Sequence, residues 1–303
     1  MSTLRMVHVE AAELGPFVPG LRDLEAAICY PAGPEQFTID HGPDYHPFFS
    51  DIGESHFALA SSGGAVLGNV VGVRKQVAWG VRRLEALYIC DLKVAPTQRG
   101  RGLARRLLAY GLWRLLVSPK LRRTRLLFGA AMRGQRGDVT RSARGATPLK
   151  LARPWARCDL YFAPPATLAS LQPGSCPPPP PVDQGLDLSP HPTHEQPGLA
   201  STAGRKDLRL SPDGRPWPLV HLPLGPRSWR PSWGHYLRAC GQALVDSGAP
   251  GPACFGLDQR LADHRDWLAS AGLTPTALFT IHGLDLTRSV RRARWIHLAS
   301  SEI

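Results

Sequence analysis

Arg99, Gly100, Arg101 and Gly102 are consecutive in VAPTQRGRGLARRLL (residues 94–108), between a strand-like run and a helix-like run. Residues of these types at such a junction suit anion binding. The first turn of a helix has backbone N–H groups without partners and a positive field. Glycine lets a ligand come close to the main chain, and arginine adds charge at the rim. A diphosphate would be held mainly by main-chain donors there. A basic, solvated turn is the alternative reading of the same residues. GRGLA lacks the third glycine of a dinucleotide fingerprint, and no Gly-Lys-Ser/Thr follows as in a nucleotide-triphosphate loop.

The elements that must position this junction are readable from pattern. LEALYICDLKV (residues 84–94) is rich in aromatic and β-branched residues and predicts a strand, closed by Pro96. Ala104, Leu107, Leu108, Gly111, Leu112 and Leu115 recur at three- and four-residue spacing and predict a helix over 103–117. Upstream, LRDLEAAICY predicts a helix. SHFALAS and AVLGNVVGVRKQVAW predict two strands joined at Gly63 and Gly64. Downstream, TRLLFGAAM and RCDLYFA predict further strands. The order is that of a mixed α/β unit.

With its preceding strand and proline, DLKVAPTQRGRGLARRLL resembles the acyl-CoA-binding motif of the GNAT-type N-acyltransferases. Arg99, Gly100, Arg101, Gly102, Leu103 and Ala104 match that motif in order. The resemblance implies a mixed sheet flanked by helices, and acetyl-CoA or another acyl-CoA as co-substrate. It places the diphosphate on the backbone of Arg99 to Ala104. It places the pantetheine arm beside Leu92, Lys93 and Val94, where a backbone N–H would meet the thioester oxyanion.

Acyl transfer to an amine needs positioning, a proton acceptor and a donor to the oxyanion. Tyr88 stands where the family often carries a glutamate, and a tyrosine is a poor base at its ordinary pKa near 10. Asp91 and Glu85 are the nearby carboxylates. All three are candidate catalytic residues, each with a packing or solvated-face alternative. No counterpart of the family's leaving-group tyrosine is found; Leu268 stands at its place in the later half.

Eleven prolines fall in residues 164–200, a density that resists helix and sheet. The expected organisation is an acyl-CoA-binding domain over 1–163, a linker over 164–204 and a C-terminal domain over 205–303. ACFGLDQRLADHRDWLASAGLTPTALFTI is similar to the closing strand-helix-strand part of the same fold, without an Arg-x-x-Gly-x-Gly cradle. A second, degenerate GNAT-like half is therefore expected; the rival is a C-terminal part that completes the first domain. His264 is read as a surface residue on an amphipathic helix, and Trp229 and Trp233 as groove or core residues.

The net charge of +12 favours anionic partners without naming one. From Arg101 to Arg153 there are fourteen Lys or Arg and one acid, Asp138. Aromatics are sparse in that run (Tyr110, Trp113 and Phe128) and do not alternate with its charges, which argues against nucleic acid. The six cysteines show no CxxC spacing and no HExxH is present, so no metal is expected. No apolar run reaches membrane-span length, and the expected location is cytoplasmic. The function expected is transfer of an acetyl or other acyl group from acyl-CoA to a small-molecule or peptide amine by direct attack. The alternatives are a non-catalytic acyl-CoA-binding module and a polyanion binder. Neither the acceptor nor the oligomeric state is legible.

Overall fold

The computed structural model describes residues 3–32, 35–134, 137–138, 152–190, 199–225, 232–286 and 290–303. Most of the basic, unpatterned stretch after residue 134 and Trp229 lie outside these residues. The first strands are β1 (Arg5–Glu10), β2 (Tyr30–Ala32), β3 (Glu35–Asp40), β4 (Glu54–Ser62), β5 (Ala65–Trp79), β6 (Arg82–Val94), β7 (Leu126–Gly134) and β8 (Gly137–Asp138). They are followed by β9 (Arg153–Ala163), β10 (Gly185–Asp187), β11 (Ala200–Ser201), β12 (Asp207–Ser211), β13 (Val220–His221), β14 (Ala253–Asp258), β15 (Ala277–Asp285) and β16 (Trp295–His297). The helices are α1 (Val18–Ala26), α2 (Pro47–Ile52), α3 (Leu103–Val117), α4 (Pro165–Ala169), α5 (Trp233–Asp246) and α6 (Ala262–Ser270).

One sheet runs through both halves in the order β1-β4-β5-β6-β7-β15-β9-β14-β13-β11. Its centre is an exchange. β15, from the C-terminal half, lies antiparallel between β7 and β9. β9, from the N-terminal half, lies antiparallel between β15 and β14. Outside this pair each half has a parallel step, β6 with β7 and β13 with β14. The later half thus repeats a strand-helix-strand pattern and also supplies a strand to the earlier half.

Alternation along β5 and β6 builds two apolar faces. Val71, Val73, Ala86 and Tyr88 point into a core shared with Leu21, Leu24, Phe49, Phe279, Ile281 and Ile296. Val70, Leu103 and Leu107 form a separate cluster beneath α3. Leu107 is fully buried; truncating such a leucine to alanine costs about 2–5 kcal/mol. A third cluster surrounds α5 and α6, with Trp233, Leu237, Phe255 and Leu268 buried. His264 is buried there against the Trp233 ring, 5.2 Å between centroids, which corrects the surface position expected from its helix.

The proline-rich segment is woven into the fold. Its prolines flank short turns and α4, whereas Gly185–Asp187 is free of proline and forms β10, which pairs with β16 and with the end of β5. A spacer was expected over these residues; the described part of the segment instead borders both halves.

Candidate functional site

The strand before the basic junction is broken in a specific way. Parallel pairing of β6 with β7 runs from Ala86 to Tyr88, opposite Leu126 to Phe128, and then stops. From Ile89 onward β6 keeps only β5 as a neighbour. In that stretch Asn69 faces Lys93 and Val71 faces Cys90, so Asp91 and Leu92 together oppose Val70. This is a β-bulge, which re-aims the strand beyond it. Asp91 has φ +50, a left-handed backbone uncommon outside glycine.

The bulge is held by a buried polar network. Tyr45 Oη donates to Asp91 Oδ2 at 2.6 Å, and Asn69 Nδ2 donates to the same oxygen at 2.9 Å. Lys93 Nζ lies 2.5 Å from Asp91 Oδ1 and 2.5 Å from Glu25 Oε1. Glu25 Oε2 accepts the His41 backbone N–H at 2.9 Å, and its Oε1 lies 2.6 Å from His41 Nδ1. Burial alone would raise the Asp91 pKa, but Lys93, the His41 ring and the bonds from Lys93 and Tyr45 outweigh it and hold the carboxyl below its ordinary 3.8. Burial pulls Lys93 down, but Asp91 and its other neighbours push it well above 10.5. Burial and Asp91 raise the Tyr45 phenol well above 10.

Glu25, His41 and Asp91 present ligand atoms within 4.8 Å of one another, a spacing that suits a divalent cation. The Lys93 ammonium contacts both carboxylates and already supplies the positive charge at that point. Glu25 also floors a cleft of about 660 Å³ between α1 and β3, which bears Arg22, Asp23, Thr38, Asp40 and Arg209.

Past the strand, Pro96–Gln98 forms one 3-10 turn and the chain enters α3 through Gly100 and Gly102, at φ +76 and +75. Both glycines are exposed. A Cβ on Gly100 would meet nothing within 4 Å, so the space above the loop is open. No side chain caps α3. Its last pre-helical carbonyl, Gly102, accepts from Arg106, which leaves the first-turn amides of Leu103, Ala104 and Arg105 turned outward as in any uncapped helix. Arg99 and Arg101 flank the loop, and Leu103 anchors it in the core beneath.

The three candidate catalytic side chains lie in different settings. Tyr88 is buried, stacks on Phe128 at 5.0 Å and donates to the Glu302 carbonyl at 2.6 Å. Burial, with Cys90 and the acids Glu302 and Asp91 nearby, pushes its phenol well above 10, which opposes a proton-accepting role. Glu85 lies below the splay, 3.1 Å from Arg74 Nε and accepting from Gln76 at 3.1 Å. Asp91 is at the bulge itself, with its carboxylate engaged by three donors.

Sequence reasoning missed Tyr45, Glu25, His41 and Asn69. Glu25 carried a local signal: it falls on the apolar stripe of α1 beside Leu21 and Leu24. Asn69 stands out as a polar residue inside GNVVG. Tyr45 and His41 carried none, because their partners are distant in sequence.

Residues 21–124 match the model of the acetyltransferase (GNAT) family. No curated protein matches the chain in sequence. Among solved structures, a tandem GNAT protein from the clavulanic acid biosynthesis pathway, without AcCoA, is 13% identical over 94% of this chain and 99% of its own, with a TM-score of 0.53. Saccharomyces cerevisiae N-myristoyltransferase with bound myristoyl-CoA is 8% identical over 94% of this chain and 79% of its own, with a TM-score of 0.51. A probable N-acyltransferase of unknown function from Enterococcus faecalis V583 is 9% identical over 95% and 74%, with a TM-score of 0.50. At these identities the likeness is one of fold.

Proposed function

Because residues 21–124 belong to the acetyltransferase (GNAT) family, we propose that this chain is an acyl-CoA-dependent N-acyltransferase that binds its acyl donor on the first half. The observation that carries the reading is the union of two features: an uncapped helix entered through two left-handed glycines, and a preceding strand that splays at Tyr88 and bulges at Asp91.

The backbone of Arg99 to Ala104 would bind the donor's diphosphate. The main chain from Leu92 to Val94 would pair with the pantetheine arm, and an amide beside the bulge would donate to the oxyanion. The donor supplies a thioester carbonyl; the acceptor is a small-molecule or peptide amine that attacks it directly. In this reading Asp91 is a positioning residue that fixes the bulge through Tyr45, Asn69 and Lys93. Tyr88 and Glu85 serve packing and ion pairing. Arg105 and Arg106, exposed on the first turn of α3, add positive charge beside the cradle.

The later half fits a degenerate copy. Its corresponding helix, α5, is closed by its own residue: Ser232 Oγ accepts the His235 N–H at 3.2 Å. The amide that an anion would use is thus already engaged. A binding module without turnover is the second reading, favoured by the engagement of Tyr88, Glu85 and Asp91 in structural bonds. Release of free CoA thiol against an amine panel separates the two.

The test of the donor site is calorimetric titration of CoA into the wild type and Gly102→Glu. Strong binding to the wild type and loss in the variant is expected, since the new carboxylate would occupy and repel the anion position. Equal, strong binding by both would overturn the assignment.

A further inference from the structure

One end of the sheet holds large apolar side chains out in water. The β5–β6 hairpin turns there, at Gly80 and Val81, and α3 ends there before β7 begins. β15, antiparallel to β7, finishes at the same end, with Asp285 opposite Leu126. Main-chain bonds tie these pieces together. The Arg125 N–H donates to Glu85 O on β6 at 2.8 Å, and the Leu286 N–H donates to Arg125 O at 3.0 Å. Arg122, in the 3-10 turn after α3, donates from Nε to Leu116 O at 3.0 Å. The hairpin tip is braced as well: Leu186 of β10 pairs with Trp79, and a Cβ on Gly80 would stand 3.3 Å from Asp183 Cα.

Val81 is 99% exposed, Leu116 65%, Leu286 58% and Trp113 51%. Exposed apolar residues are ordinary when scattered singly. Four at one end, each more than half exposed and so projecting rather than lining a groove, mark a contact surface. Their neighbours are basic. Arg82 and Arg83 follow Val81, and Arg122, Arg123 and Arg125 lie between α3 and β7. All five are exposed, and none has an acidic partner within ion-pair distance among the described residues. Arg291 and Arg292 are exposed on the turn Val290–Arg292, which Asp285 Oδ2 holds to the end of β15 by accepting the Val290 N–H at 2.8 Å. Of the other acids at this end, Glu85 is engaged by Arg74 at 3.1 Å, and Asp183 lies against the hairpin tip.

We propose that this end of the molecule is a docking surface for an anionic lipid bilayer. Val81, Leu116, Leu286 and Trp113 enter the headgroup layer, and the arginines meet the lipids' negative charges. Charge complementarity and shape together select this partner. A bilayer receives projecting apolar tips, and tryptophan favours its interface. A second copy of the chain would bring like charges together. A nucleic acid would pair with the arginines but offers no apolar layer to the tips. No helix among the described residues is long and apolar enough to cross a membrane, so the contact is attachment to the surface. At 1.5 Å per residue α3 spans about 22 Å, which sets the patch at the far end of that helix from the Arg99–Ala104 loop and leaves the loop open to solution. The inference is independent of the acyl-CoA reading of that loop.

The test is co-sedimentation of the full chain with vesicles of phosphatidylcholine alone and of phosphatidylcholine with about 30% phosphatidylserine. At about 0.1 M salt the anionic vesicles should bind at least about tenfold more tightly, and that preference should fall away at about 1 M, where the Debye length shrinks from about 10 Å to about 3 Å. Two triple variants separate the contributions. Val81→Ser with Leu116→Ser and Leu286→Ser, and Arg122→Gln with Arg123→Gln and Arg125→Gln, should each weaken binding by about tenfold or more. Val81→Ser alone, at a position without packing, should weaken it by about threefold and melt as the wild type does. The proposal is overturned if the anionic vesicles do not carry the chain down, or if either triple variant binds them as the wild type does. A serine variant that keeps full affinity for both the anionic vesicles and heparin would mark a plain polyanion site instead.

Discussion

Tyr45 and Asp91 are the two non-glycine residues with left-handed backbones among the described residues, at φ +63 and +50, and they are bonded to each other, phenol to carboxylate, at 2.6 Å. Each holds a conformation that side chains ordinarily avoid, and each is part of what holds the other. Tyr45→Phe removes the donor and leaves the ring. We expect a loss of about 1.5–3 kcal/mol, the range for a hydrogen bond to a charged group. CoA affinity should fall with it as the bulge relaxes. Urea unfolding and CoA titration on the same variant check both.

Lys93→Met should be more damaging. It leaves the Glu25 and Asp91 carboxylates buried together without their cation, and breaking a buried pair in this way costs about 3–5 kcal/mol. The vacated point is ringed by Glu25, His41 and Asp91, so zinc or manganese should raise the variant's melting temperature while leaving the wild type unmoved.

The same pair sets a pH window. Asp91 is depressed below 3.8 in the fold, so its contribution is present above 3.8 and is lost as pH falls through the lower folded value. Lys93 is raised above 10.5, so its contribution is present below 10.5 and is lost as pH rises through the higher folded value. Denaturation midpoints of the wild type should fall on acidification below the ordinary carboxylate range. Lys93→Met should show the opposite slope, gaining stability as its unpaired carboxyls take up protons.

Gly102→Ala probes the cradle without adding charge. At φ +75 an alanine costs roughly 1–2 kcal/mol of backbone strain. The chain would relieve it by closing the approach to the first-turn amides. CoA affinity should drop while α3 stays helical, as titration and circular dichroism would show.

Tyr88→Phe separates packing from proton transfer. The ring remains stacked on Phe128 and only the bond to Glu302 O is lost. Stability should fall by about 1 kcal/mol, a little more if that carbonyl finds no other donor. CoA affinity and the pH profile of thiol release should be unchanged. An altered alkaline limb would return Tyr88 to the chemistry.

The strand over 84–94 and the helix over 103–117 were legible because each is a strong local pattern, and the glycine junction between them was legible because α3 needs a left-handed entry. The bulge was not. Strand parity places Asp91 and Glu85 on one face, and a single extra residue opposite Val70 undoes that inference. Tyr45 reaches Asp91 across forty-six positions, a distance over which no periodicity carries information. β10 was hidden by its neighbours: five prolines end at Pro181, but the three residues that pair with β16 and β5 begin after them.

The interleaving of β15 with β7, and of β9 with β14, has a consequence for modularity. Neither half could be excised, or grafted from a relative, without opening a strand-wide gap in the other. Each half therefore depends on the other for a strand of its own surroundings, and truncating either should expose the edges of the one that remains.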